Sequence, residues 1–472
     1  MGSATRTQGA AGRRGPGGAP RGAGAPGRPG SPRRAGPAAG PGAGGRPSAR
    51  PRPPVSATLR TASRASGLGP FQLQQLVLLE LALAVLVVAA AIDELLLVPA
   101  VVIAAPLAVA GLIRRRQRSV RDWAATLLAL RARTREAARP LSPAMVVNAA
   151  GERLDPGFLP LVESAPGLRT YGYVDKHQRT VGMLGDGTFL TALVSVDATA
   201  AGPLRPVSGA RPLPLDLVHG ALDVDGIALE SVQVVQQTQP APAPHLPEQS
   251  VARRSYGPLQ EQTGAPALRL TWVALKLDPE LCPEAVEARG GGLEGAQRCL
   301  VRAADHLASR LTGAGFRARV LDEEGVISAL ATSACLNPVA TARASRPDAM
   351  PARRTAETSR VWRCDDRWHT TYAVSRWPEL GGTAAPLPRL VALLTSAPAF
   401  TSTFSLTLGR STRRGAATVT GHVRLTGRSD TELIAARRHL EHASRAARLG
   451  LVRLDREQLP GALASLPLGG VR

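Results

Sequence analysis

The sequence predicts a membrane-anchored α/β (α+β) protein: an N-terminal two-helix transmembrane hairpin followed by a mixed α/β cytoplasmic domain with a duplicated helix-strand-helix unit. Three observations carry that expectation. Residues 77–113, VLLELALAVLVVAAAIDELLLVPAVVIAAPLAVAGLI, are apolar except for Glu80 and the pair Asp93-Glu94. Both flanks of this run are basic, with twelve Arg and no acid in residues 1–70 and RRRQRSVR at 114–121. Finally, RVLDEEGVISAL at 319–330 aligns without gaps on VRLDREQLPGAL at 452–463.

As one helix the apolar run would be about twice as long as the ~30 Å hydrocarbon core is thick. Two spans, 73–92 and 95–113, fit if the chain reverses at Asp93-Glu94, where carboxylates would be costly in lipid. The basic flanks then place both termini in the cytoplasm, with the protein multi-pass in the inner membrane. Glu80 would sit a turn or two inside the first span, where an ionisable group faces a partner helix or water. Arg114, Arg115 and Arg116 follow the second span, where anionic lipid would attract them. Residues 114–140 complete this region as a basic juxtamembrane amphipathic helix carrying Trp123, to lie at the inner leaflet or against a partner.

The chain has 472 residues and a formal charge of +22, but its positive charge is concentrated in the tail and beside the apolar run. The remainder is nearly balanced, so the charge argues for a membrane surface and no nucleic-acid partner is expected. Cys282, Cys299, Cys335 and Cys364 show no CxxC spacing, which predicts free thiols in a cytoplasmic body.

In chain order, residues 1–70 are rich in Arg, Gly, Pro and Ala and have almost no large apolar side chains, so they read as a disordered tail. Residues 141–239 read as a β-rich subdomain, with hairpins turning at DKHQR and at Gly185-Asp186-Gly187, then a helix at 214–222 and a strand at 229–238. Proline spacing marks 240–266 as a linker. An α/β unit follows at 267–336, an Arg-rich loop at 337–368, and a second α/β unit at 369–472. In the two aligned stretches Asp322 and Asp455 suit helix N-caps, and Glu324 and Glu457 suit the first turn, where the helix dipole favours an anion.

Chemistry is sparse. Neither Lys176 nor Lys276 lies in a GxxxxGK[ST] run, and no GxSxG or HExxH is present. Asp223-Val224-Asp225 has the DxD form with which a membrane-tethered glycosyltransferase-like enzyme would hold a metal and a nucleotide sugar. Asp225-Gly226 is equally what a tight turn needs. His439 and His442 lie one turn apart on a helix without an evident third ligand, and Cys364 with His369 is a conceivable nucleophile pair. The expectation is of no catalytic residue, no metal and no cofactor, hence no enzyme.

GYVDKHQRTVGMLGDGTFLTALVSV at 172–196, LESVQVVQQTQPAP at 229–242 and WHTTYAVSRWP at 368–378, together with the apolar run, resemble EccE, a membrane component of actinobacterial type VII (ESX-like) secretion systems. That resemblance implies a structural subunit of an inner-membrane complex with EccB, the EccC ATPase and EccD. It further implies a subunit that braces its neighbours during export of small helical WXG100-type proteins.

Overall fold

The computed structural model describes residues 73–92, 97–112, 118–141, 154–198, 212–240, 268–346, 352–378, 387–411 and 417–470, and short pieces at 114–115, 249–251, 254–255, 258 and 348–350. The expected tail, 1–70, and most of the expected linker lie outside these residues.

Three helices come first: α1 (Leu73–Ile92), α2 (Leu97–Leu112) and α3 (Val120–Ala137), with a two-residue ribbon, Arg114–Arg115 against Arg118–Ser119, between the last two. Helix α4 (Leu159–Ser164) leads into strands β1 (Arg169–Val174), β2 (Thr180–Gly185) and β3 (Leu190–Ala198). After α5 (Leu215–Gly220) come β4 (Ser231–Gln239), β5 (Leu268–Leu277), α6 (Pro283–Glu287), α7 (Gly292–Gly313), β6 (Phe316–Val320) and α8 (Glu323–Ser333). Helix α9 (Pro338–Ala344) opens the second part, followed by β7 (Thr355–Glu357), β8 (Trp362–Cys364), β9 (Arg367–Arg376) and α10 (Leu387–Leu394). The chain continues through β10 (Thr401–Arg410), β11 (Ala417–Gly427), α11 (Asp430–Ala446), β12 (Gly450–Arg453) and α12 (Gln458–Ser465).

Strands β1 to β12 form one sheet in the order β7-β8-β9-β11-β10-β4-β5-β3-β2-β1, with β6 on β3 and β12 on β9. Adding six to each strand number of the first half reproduces the second, and the halves join through the antiparallel pair β4 and β10. The register repeats too. Leu321 N–H donates to Leu193 O at 2.9 Å and Leu454 N–H donates to Thr371 O at 3.0 Å, and Leu321 and Leu454 are matched residues of the ungapped alignment. The architecture is therefore two copies of one β-β-β-α-β-β-α-β-α path related by a pseudo-dyad through the centre of the sheet.

Helices cover both faces. On one face α7 buries Ala296, Cys299, Leu300, Ala303, Ala304, Leu307 and Leu311, a stripe at helical spacing, against Val194, Val232, Val273 and Leu275. On that face in the second half, α10 and α11 bury Leu390, Leu394, Leu433 and Leu440 against Phe404, Val423 and Leu425. The opposite face carries one continuous core, in which α8 and α12 pack Val326, Leu330, Ala462 and Leu466 with Leu193, Val235, Trp272 and Trp362. Gly182 on β2 permits the close approach of α8, since a Cβ there would lie 2.4 Å from the Asp322 carbonyl and Glu323 N.

The transmembrane hairpin is not supported. Among the described residues no helix is long and apolar enough to cross a membrane. Helix α2 has 16 residues, so it reaches about 24 Å against a core of ~30 Å. The two-span topology falls with it, along with the placement of the termini that it implied. The main body also differs from the mixed α/β expectation. Among the described residues all strand pairs are antiparallel, and the segments read as separate units share a single sheet. The stretch read as an Arg-rich loop holds α9, β7 and β8, because Arg354 turns inward onto Asp365 at 2.7 and 2.8 Å and also donates to Pro156 O and Thr341 Oγ1. Of the two expected caps, Asp322 accepts from Gly325 N, whereas Asp455 takes the Arg453 guanidinium and α12 starts at Gln458 without a side-chain cap.

Candidate docking surfaces

Helices α1 and α2 pack together on small residues: Ala82, Ala89, Ala100 and Ala104 are buried. Their larger side chains point the other way. Leu83 is 62 % exposed, Val87 59 %, Ile92 68 % and Val98 72 %, with Leu81, Val88, Val101, Val102 and Ile103 also more than half exposed. A contiguous apolar surface of this kind marks a contact surface. Glu80 is exposed on α1. Arg114 and Arg115 form the short ribbon, Trp123 lies in the first turn of α3, and Arg116 lies outside the described residues.

Helix α3 connects that pair to the body. Arg133 forks onto Glu357 of β7, Nε to Oε2 at 2.7 Å and Nη2 to Oε1 at 3.0 Å, and Nη2 also donates to Arg456 O at 2.8 Å. Glu357 is nearly buried and accepts Leu459 N in the first turn of α12 at 3.0 Å. One carboxylate thus ties three elements. Among the described side chains of α3, Leu130 is the buried apolar one. Beside this junction is a cleft of about 610 Å³ between the end of α3 and β7, whose wall includes Glu136, Glu163, Trp362 and Leu459. Glu163 accepts from Arg354 N, Thr355 N and Thr355 Oγ1; burial nevertheless raises its pKa, the hydrogen bonds opposing that shift.

A second groove, about 670 Å³, lies over the pseudo-dyad where the cores of the two halves stay apart. Its floor is Val234 and Gln236 of β4 with Phe404 and Leu406 of β10, and Phe316 and Val391 form walls.

The residues singled out for chemistry do not assemble. Asp225 has φ 51° and Gly226 φ 76°, the backbone of a tight turn, and Asp225 pairs with Arg302 while Asp223 faces Arg410. With each carboxylate engaged by a different arginine, the DxD form is a turn. Among the described residues no group of three or more His, Cys, Asp or Glu is placed to hold a metal ion. His439 approaches Ser396 Oγ at 3.4 Å, and His442 is exposed. Cys364 and His369 are both fully buried; burial raises the thiol pKa well above its ordinary value and holds the imidazole well below its own. A nucleophile pair needs access and the opposite shift of the thiol.

Residues 265–374 match the family described as "EccE: Putative type VII ESX secretion system translocon, EccE". Over these residues the chain is similar to EccE. The matched segment runs from just before β5 into β9, crossing from one half of the duplication to the other, and includes Glu357. No curated protein matches the chain. The family's description names it as part of a type VII ESX secretion system translocon.

Proposed function

We propose that this chain acts as an EccE, a structural subunit that braces neighbouring translocon components, EccB, the EccC ATPase and EccD, during export of WXG100-type proteins. The observation that carries the reading is the apolar face of α1 and α2, left uncovered while, among the described residues, the side chains buried between the helices are alanines. Apolar helices of neighbouring subunits would cover it, and α3 would pass the load to the sheet through Arg133 and Glu357. Arg131 and Arg135, exposed on the same side of α3, remain free to meet anionic headgroups. Glu80 sits where a polar group of a neighbouring helix could reach it, and Arg114, Arg115, Arg116 and Trp123 lie in the segment that would line this contact.

The test is co-purification of the full-length chain with the other secretion components. Leu83→Glu with Val87→Glu should remove it from the complex while the melting temperature of the purified protein stays unchanged. Retention at the wild-type ratio would refute the bracing role of this face.

A further inference from the structure

The pseudo-dyad makes one position conspicuous. Arg424 on β11 is fully buried beneath α8 and α12, where its first-half equivalent in the repeated register is Ala274 on β5. Arg424 is directly opposite Thr371 on β9 and Thr403 on β10, and Thr403 is opposite Gln237 on β4. These four side chains form one row across the covered face. Each has a buried polar atom without a hydrogen-bond partner among the described residues: Thr371 Oγ1, Arg424 Nε and Nη1, Thr403 Oγ1 and Gln237 Oε1. His369 Nε2, next along β9 on the same face, is in the same condition.

The corresponding first-half row is Leu193, Ala274 and Gln233, and it leaves nothing over. Gln233 there donates to Ser405 Oγ and Ala464 O and accepts from Gly469 N and Gly470 N. A small apolar residue therefore satisfies this place in the fold, and the guanidinium is an addition to it.

A buried cation requires compensation. Arg424 Nη2 finds Ser333 O and Oγ at the C-terminal end of α8, where the helix dipole supplies about half a negative charge. Burial lowers its pKa to about 10, so the group is still charged at neutral pH. About half a charge and the N–H groups of two nitrogens, three donors in all, remain unmatched, flanked by hydroxyls on both sides at the ~5 Å spacing of cross-strand neighbours. Gln237 Nε2 is committed to Thr332 O and Cys335 Sγ, and no carboxylate is hydrogen-bonded to Arg424 among the described residues.

We propose that Arg424 Nε and Nη1, with the Thr371 and Thr403 hydroxyls, hold a small monovalent anion of halide size between the sheet and helices α8 and α12. One guanidinium matches one negative charge. The enclosure, with Thr371, Thr403 and Arg424 all inaccessible, favours a monatomic ion over a phosphate-sized oxyanion.

The experiment is a melting series on the full-length protein in which gluconate is replaced by chloride or bromide at constant ionic strength, together with bromide-soaked crystals read for anomalous scattering. The wild type should gain melting temperature saturably with halide and show a bromide peak within hydrogen-bond reach of Arg424. Arg424→Met should lose both. Thr403→Val, nearly isosteric, removes one hydrogen bond to a charge and should raise the half-saturating halide concentration about tenfold or more; it decides alone if Arg424→Met does not fold. Equal melting in gluconate and halide, a gain retained in full by Arg424→Met, or density at the row without bromide signal would overturn the proposal in favour of interior water.

Discussion

Replacing Arg133 by Ala should undock α3 without unfolding the sheet. Arg133 makes two charge-assisted hydrogen bonds to Glu357 and a third to Arg456 O, all between 2.7 and 3.0 Å. Such bonds contribute about 1.5–3 kcal/mol each when sheltered. The Arg133 side chain is 26 % exposed, however, so solvent screening discounts the sum. The partner Glu357, 5 % exposed, would keep Leu459 N but lose its counter-charge. Together these give about 2–3 kcal/mol against docking, or a shift of roughly 30- to 150-fold in the local opening equilibrium. Hydrogen exchange resolved by segment reads it directly: amides of 120–137 should accelerate by about that factor while those of β10 and β11 are unchanged. Arg133→Lys should recover part of the protection, because an ammonium cannot reproduce the fork. Unchanged exchange in α3, or acceleration everywhere at once, would show that the ion pair does not carry the helix.

Gly182→Ala puts a methyl into the backbone of Asp322 and Glu323 and should cost about 1–3 kcal/mol or more by denaturant melts, with β2 and α8 affected first. His369 is held below its ordinary 6.5 by burial first, then by Arg424 and Arg367. The unfolded chain therefore binds a proton that the fold refuses, and stability should fall by up to about 1.4 kcal/mol per pH unit below 6.5, a component that His369→Gln removes. Glu163 has the opposite sense: its folded pKa is raised above 4.5, so the fold binds the extra proton and stability falls as pH rises from 4.5 through the folded value. The difference between wild-type and Glu163→Gln stability should decline over that window. The four cysteines are all buried, and an alkylating reagent should label them only after denaturant is added.

Strands and helices were legible where local chemistry decides. Gly187 with φ 93° closes the turn at Gly185-Asp186-Gly187, a strand at 229–238 coincides with β4, and Asp322 caps α8. What local pattern cannot reveal is pairing between distant strands, since β4 and β10 lie far apart in sequence yet adjoin in the sheet. In TSTFSLTLGR the polar Thr401, Thr403 and Ser405 are fully buried because helices cover both sides of the sheet. The Arg-rich stretch misled for a related reason: Arg354 spends its charge on Asp365 inside the body, a partner visible only once the chain is folded. The apolar run holds helices at 73–92 and 97–112, but among the described residues neither is long and apolar enough to cross a membrane, so run length and basic flanks together misled.

The two halves are repeats in path but not independent in energy. Separating them would expose β4 or β10 as an edge strand of nine or ten residues rich in Val and Thr, the kind of edge that recruits other chains. Polar anchors also cross the boundary in both directions. Gln233 of the first half is saturated by Ala464, Gly469 and Gly470 of the second, and Arg424 of the second reaches Ser333 of the first. The matched family segment straddles the same boundary, beginning beside β5 and ending in β9. The copies differ in the polar rows over the central strands, where one closes its hydrogen bonds through the C-terminal glycines and the other buries a cation. The duplicated frame was thus free to repeat its apolar register, while the residues that lock one half to the other had to differ.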